Sequence, residues 1–216
     1  MNRPARFAAF AAAVLLFSFA GAAGAAGPIV SGEVKTGTIS GPTFAETWTF
    51  SGVAGQRIVL AALTTSGSLN TNMALQGPGG GAAVVNTSAD RTDYQLLATG
   101  TYTLTISDYS LAQAGTYSLS FLNVTGGPLT TAGDLDGGPI VSAEIKAGQI
   151  GSVTDFDAFT FTGAVGQRVI ITALATSGPF NTAFYLYPPD GGPAENSTTG
   201  DRLEHQSPRL EAGQQI

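Results

Sequence analysis

The chain has 216 residues, 43 % of them hydrophobic and 11 % charged, with 29 glycines, 11 prolines and no cysteine. That length holds one or two domains, and the lack of cysteine excludes a disulfide framework, a thiolate metal site and a cysteine nucleophile. The formal charge is −6, and with lysine only at Lys35 and Lys146 the clustered cations that nucleic acid requires are missing, so nucleic acid is excluded as a partner.

Residues 1–26 read as a secretory signal peptide. Arg3 and Arg6 give a basic start, Phe7 to Ala20 an apolar stretch, and Ala23-Gly24-Ala25 an A-x-A cleavage site. The apolar stretch is shorter than the ~20 residues that span a bilayer. The expected location is therefore secreted, extracellular or periplasmic, with no membrane contact after cleavage.

Residues 27–124 form a first predicted β-sandwich. AETWTFSG from Ala45 places Trp48 and Phe50 on one face. A glycine turn at Gly55-Gln56 then feeds the apolar run Ile58 to Leu63, which Thr64, Ser66 and Gly67 close; a run of that length between turn residues predicts a buried strand. Ile58, Leu60 and Ala62 make its inward row, and Arg57 falls on the opposite, solvated parity. NTNMALQGPGGG puts Met73 and Leu75 on one face before a glycine-proline turn. TYTLTIS and TYSLSF alternate most regularly, with Tyr102, Leu104 and Ile106, then Tyr117, Leu119 and Phe121, facing inward and the threonines and serines outward. Such alternation predicts antiparallel sheets with one face buried and one wet.

Residues 125–138, TGGPLTTAGDLDGG, have the composition of a linker. From 139 to 216 the first unit returns. Shifting the chain by about 111 positions pairs Pro28-Ile29-Val30-Ser31 with Pro139-Ile140-Val141-Ser142, and about thirty of the ~68 residues up to Gln206 are identical. GQRIVLAALTTSGSLNT at Gly55 becomes GQRVIITALATSGPFNT at Gly166, with Val169, Ile171 and Ala173 inward and Arg168 outward. The second copy has no counterpart of TYTLTIS or TYSLSF. Either the sequence is a fragment or those strands come from another chain, and the uncovered apolar face around Phe159, Phe161 and Ile171 is an association hazard. The fold class is thus all-β: two tandem antiparallel β-sandwich domains of jelly-roll type, the second incomplete, arranged as beads on a string.

These residues resemble the bacterial pre-peptidase C-terminal domain. The resemblance rests on aspartate-x-aspartate-x-aromatic-x-phenylalanine at Asp155-Phe156-Asp157-Ala158-Phe159-Thr160-Phe161, the GQR turn and apolar strand, the PDGG turn at Pro189, and ATGTYTLTISDY with GTYSLSF. It covers both copies. It implies a jelly-roll-like sandwich in secreted proteins, an accessory module beside a protease or other catalytic domain, with calcium or collagen bound by some collagenase-related members. No peptidase domain is present.

Asp155 and Asp157 stand two apart at the start of a strand, on one side, with Asp134 and Asp136 upstream in the linker. Four carboxylates with backbone carbonyls suit a hard cation such as Ca²⁺. The resemblance carries calcium to Asp155 and Asp157 only; Asp134 and Asp136 are added on proximity. The first copy has Phe44 and Glu46 at the matching places. The alternative is four solvated turn and strand-start residues. As an acid/base pair the aspartates are poor, being close in sequence on one surface strand. His205, the single histidine, replaces Tyr94 of the first copy, and no GxSxG setting accompanies it. In FYLYPP, Tyr185 and Tyr187 share a parity opposite to Phe184 and Leu186, giving either a ligand platform for sugars or peptides or a packing contact between domains.

The expected function is a secreted, non-enzymatic accessory or binding module pair, with calcium as its candidate cofactor and an extracellular protein or polysaccharide as its partner. The alternatives are a fragment of an exported hydrolase whose catalytic domain is missing, and a carbohydrate-binding module that uses Tyr185 and Tyr187.

Overall fold

The computed structural model describes residues 24–41, 43–206 and 214–215, so residues 1–23 of the expected signal segment lie outside the described residues. The first half runs β1 (Gly24–Pro28), β2 (Glu33–Ile39), β3 (Ala45–Gly52), β4 (Arg57–Gly67), β5 (Thr71–Gln76), β6 (Ala83–Thr87), β7 (Arg91–Gln95), β8 (Gly100–Asp108) and β9 (Gly115–Asn123). They form two sheets, ordered β1-β3-β8-β5-β6 and β2-β9-β4-β7. Every pairing is antiparallel except that of β1 with β3. Among the described residues no helix is long and apolar enough to cross a membrane.

Alternation decides which residues meet between the sheets. Ile58, Leu60 and Ala62 of β4, Tyr102, Leu104 and Ile106 of β8, and Tyr117, Leu119 and Phe121 of β9 enter one core with Trp48, Phe50, Met73 and Leu75, as the period-two pattern predicts. The Phe50 ring stacks on Tyr102 at 5.4 Å and leans on Phe121 at 4.4 Å, distances at which ring pairs add to simple area burial. The glycine-glutamine turn ahead of β4 is closed by its own side chain: Val53 N–H donates to Gln56 Oε1 at 2.9 Å. Its counterpart does the same, from Ala164 N–H to Gln167 Oε1 at 3.0 Å.

The second half contains β10 (Gly137–Pro139), β11 (Ala158–Phe161), β12 (Arg168–Thr172), β13 (Phe184–Leu186), β14 (Asn196–Thr198), β15 (Arg202–Gln206) and β16 (Gln214–Gln215). Its registers reproduce those of the first half. Gly138↔Phe159 matches Gly27↔Trp48, Arg168↔Gln206 matches Arg57↔Gln95, and Phe184↔Thr198 matches Met73↔Thr87. Residues 144–150, the counterpart of β2, form no strand. The reason is pairing: β2 is held by β9, and nothing takes the place of β9 among the described residues.

Two expectations are corrected here. Arg57 is not solvated but 8 % exposed, and Ser118 and Ser120, on the face of β9 expected to be wet, are buried. The cause is that the halves pack together instead of hanging as separate beads. Val59, Leu122 and Val124 on the outer face of the β4–β9 sheet join Ala158 and Tyr187 in a second buried cluster, flanked by Leu129 and Phe156. Thr154 seals its edge, with its hydroxyl 2.7 Å from Ser118 Oγ and its carbonyl accepting from Ser120 Oγ. Full burial of a leucine or valine contributes about 1.5–3 kcal/mol, so Leu122 and Val124 alone make this contact substantial. Arg168, by contrast, lies at the surface as expected.

Candidate metal centre

The parallel pairing of β10 with β11 sets the geometry of the aspartates. Gly137 lies opposite Ala158, so the residues just before them, Asp136 and Asp157, arrive side by side. Asp134 is brought in by a tight turn: Thr131 and Asp134 exchange backbone hydrogen bonds of 2.7 and 3.2 Å. Asp134 Oδ1 then accepts from Asp136 N–H at 3.0 Å, the local Asx geometry that short acidic side chains favour. As a result Asp134, Asp136 and Asp157 each present an oxygen within 4.8 Å of the others. Asp155 lies outside that trio, yet its charge acts on Asp157 and it feels that of Asp134.

Backbone donors fix the outer members. Gln149 N–H donates to Asp136 Oδ2 at 2.7 Å, and Gly151 N–H donates to Asp155 Oδ2 at 2.6 Å. Asp157 is different, because its Oδ1 is buried and has no hydrogen-bond partner. Burial, followed by the charges of Asp155, Asp134 and Asp136, pushes the Asp157 carboxyl up to about 7. Burial also raises Asp155, with the Asp134 charge adding to it against the Gly151 N–H. Gly148 packs directly against Asp157 and beside Asp136, where a Cβ would intrude on the carboxylate. Among the described residues no lysine or arginine pairs with any of the four. An all-oxygen, strongly anionic donor set with an orphaned buried oxygen fits a hard divalent cation. It does not fit a softer metal, whose nitrogen or sulfur ligands are missing.

The other expected site residues lie elsewhere. Tyr187 is 2 % exposed and packs on the first half; burial pushes its phenol up to about 12. The Tyr185 ring lies under the Arg91 guanidinium, 3.7 Å from its centroid. Both rings thus lie against the first half, Tyr187 buried and Tyr185 half-buried. His205 Nε2 sits 3.1 Å from Glu195 Oε2, remote from the aspartates in sequence and sheet. Arg57, Arg91 and Asp93 were missed as an interface group. The sequence signal for them was apolar Val59, Leu122 and Val124 on a parity expected to be wet.

The sequence matches no protein-family model and no curated protein. Among solved structures, the fold is similar to the periplasmic inhibitor of g-type lysozyme, PliG, of Aeromonas hydrophila, with 18 % identity, a TM-score of 0.38, and coverage of 46 % of this chain and 99 % of that one. It is also similar to the pre-peptidase C-terminal domain of collagenase from Bacillus anthracis, with 17 % identity, a TM-score of 0.38, and coverage of 46 % and 96 %. PliG of Salmonella Typhimurium gives 17 % identity, a TM-score of 0.35, and coverage of 46 % and 97 %.

Proposed function

We propose that the chain is an exported, non-catalytic accessory module built of two consecutive sandwiches, 27–124 and 139–216, in which calcium at Asp134, Asp136, Asp155 and Asp157 clamps the linker onto the second sandwich. The leader pattern in residues 1–26 supports export, and the recurring registers support the division into two units. The observation that carries the metal reading is the partnerless, buried Oδ1 of Asp157, on a side chain that presents a carboxylate oxygen to those of Asp134 and Asp136. A cation there would bind Asp136 and Asp157 across the β10–β11 pair and so hold residues 134–137 of the linker against β11. In this reading the cluster has a structural role, since a cation bound there would join the linker to β11. The burial of Tyr187 gives the polysaccharide reading no support.

A thermal melt of the full chain in calcium and in metal-free buffer tests this. Saturating calcium is expected to raise the melting temperature by several degrees, since a ligand at 100 times its Kd adds about 2.7 kcal/mol and a chain of this size shifts by about 2–4 °C per kcal/mol. Asp136→Asn/Asp157→Asn is expected to abolish the rise. An equal rise in that variant, or none in the wild type, would remove calcium from the proposal.

A further inference from the structure

On the outer face of β4 and β7, Asp93 pairs with Arg57 and Arg91, and this charged group receives the second half of the chain. Arg57 Nε donates to the Gly191 carbonyl at 2.8 Å. Arg91 covers the Tyr185 ring and donates to the Tyr187 hydroxyl, which in turn lies 3.4 Å from Asp93 Oδ2. Val59 and Tyr187 belong to one buried apolar cluster beside this group. What enters the socket is therefore a strand with two tyrosines on one side, β13 and the residue after it, followed by a proline-glycine turn.

The second half carries the same device in the same register. Ile170↔Glu204 and Thr172↔Arg202 reproduce Val59↔Asp93 and Ala61↔Arg91. Glu204 pairs with both Arg168 and Arg202, as Asp93 does with Arg57 and Arg91. The difference is cover. The Arg168 and Arg202 side chains are 65 % and 54 % exposed against 9 % and 23 % for Arg57 and Arg91, and Ile170 is 55 % exposed where Val59 is 2 % exposed.

We propose that the outer face of β12 and β15 is a docking surface for a further β-sandwich protein that presents a tyrosine-x-tyrosine strand and a glycine turn, the chemistry of Phe184 to Gly192. The occupant follows from the interface already made. A guanidinium at Arg202 takes an aromatic face, Glu204 and Arg202 take a phenol hydroxyl, Arg168 takes a turn carbonyl, and Ile170 takes the flank of a ring. A second copy of this chain is a poor occupant. Its own Tyr185 and Tyr187 are engaged by Arg91, and the corresponding positions on β5 are Ala74 and Gln76. The inference names a partner for the accessory module proposed above, but it rests on the recurring register and not on the metal site.

The probe is a head-to-tail cyclised, fluorescein-labelled peptide of residues 184–198, titrated into the full chain in calcium and in metal-free buffer. Saturable binding in both buffers is expected, with hydrogen-exchange protection gained at 168–172 and 202–206. Arg202→Glu in the chain should weaken it at least tenfold. Replacing both peptide tyrosines by serine should do the same, a control that needs no altered protein. Absence of saturable binding, indifference to both changes, or protection changes at β4 and β7 in place of β12 and β15 would overturn the proposal. Binding that persists without calcium upholds this surface even if the metal site fails.

Discussion

Glu46 and Asp157 occupy matching places in the two halves, each carboxylate pressed against a glycine, Gly37 in one case and Gly148 in the other. In the first half neutral donors satisfy the acid. Tyr117 donates its hydroxyl to Glu46 Oε2 at 2.7 Å and itself accepts from Trp48 Nε1 at 2.7 Å. Burial, with the Glu46 charge adding to it, holds that phenol well above the ordinary tyrosine value, so it remains a donor. In the second half Phe159 replaces Trp48 and no tyrosine reaches Asp157; three further aspartates surround it instead. One backbone frame thus supports two settings for a half-buried acid: a hydrogen-bonded network closed within the protein, and an anionic cluster in which burial and neighbouring charges disfavour ionisation.

The largest expected effects come from breaking the closed network. Gly37→Val places methyl groups where Tyr117 and Glu46 meet, and overpacking of that kind costs about 1–3 kcal/mol. Tyr117→Phe leaves the Trp48 indole N–H and Glu46 without their partner, at about 1–3 kcal/mol for each group stranded. Urea denaturation should show both losses equally with and without calcium. A loss that calcium repaired would mean that the first half also holds a cation, and the contrast between the halves would collapse.

The pH profile sharpens the contrast, because the two halves titrate in opposite senses. Asp108 is fully buried and accepts from the N–H groups of Asn70, Ser110, Ala112 and Gln113 and from Ser110 Oγ. Although burial opposes ionisation, these hydrogen bonds win and hold its carboxyl well below the usual range. Its folded pKa is depressed, so the stability it contributes is complete above the unfolded value near 3.9 and is lost as pH falls below it. Asp157 has a raised folded value of about 7, so its contribution is complete below about 3.9 and is lost as pH climbs to 7. In metal-free buffer the melting temperature should therefore peak near pH 4–5 and decline toward neutrality. With saturating calcium the decline between pH 5 and 7 should vanish while the acid limb stays. A metal-free profile flat from pH 5 to 7.5 would show that Asp157 is not perturbed as described.

How much of this was legible in the sequence depends on whether the information was local. Tyr102-Thr103-Leu104-Thr105-Ile106 states its two faces residue by residue, and the core of the first half follows from such strands. Asp155 and Asp157 were expected on one side of a strand by the same rule, but β11 begins only at Ala158 and Asp157 joins Asp134 and Asp136 without Asp155. That Asp136 lies beside Asp157 depends on β10 pairing parallel to β11, a long-range choice with no signal in either segment alone. The interface was partly visible. Leu122 and Val124 are apolar where a wet face needs polar residues, whereas Thr172 in the second half keeps the wet character that Ala61 in the first half has lost. The missing strand at 144–150 was not visible in its own residues, since EIKAGQI is nearly EVKTGTI; what separates them is the lack of a TYSLSF counterpart to pair with, which is legible only elsewhere in the chain.

A smaller effect separates cation binding from mere proximity of acids in the second half. Gly148→Ala introduces a methyl group against the Asp157 carboxylate, without a neighbouring tyrosine to displace. The metal-free protein should lose less than about 1 kcal/mol, well below the cost of Gly37→Val. Its calcium-induced rise in melting temperature should nonetheless fall at least by half, because the ligand oxygen has moved. A full rise in the variant would place any bound calcium away from Asp157.

The smallest expected change is also the one with the most distinctive sign. Asp134→Asn and Asp136→Asn each delete one of the charges that raise the Asp157 carboxyl, while the amide oxygen preserves the shape of the turn at Asp134 and the acceptor for Gln149 N–H at Asp136. If the cluster is an empty cation site, each substitution relieves repulsion and makes the metal-free protein more stable at pH 7, by about 0.5–1 kcal/mol for half-exposed charges in a high effective dielectric. Each should at the same time weaken calcium binding, so the curves of melting temperature against calcium for wild type and variant should cross. If the aspartates are only solvated turn residues, neither substitution changes the metal-free stability and no crossing occurs. Glu46→Gln in the first half is the internal control: its partner is the Tyr117 hydroxyl and no repulsion is there to relieve, so it should lower stability at every calcium concentration.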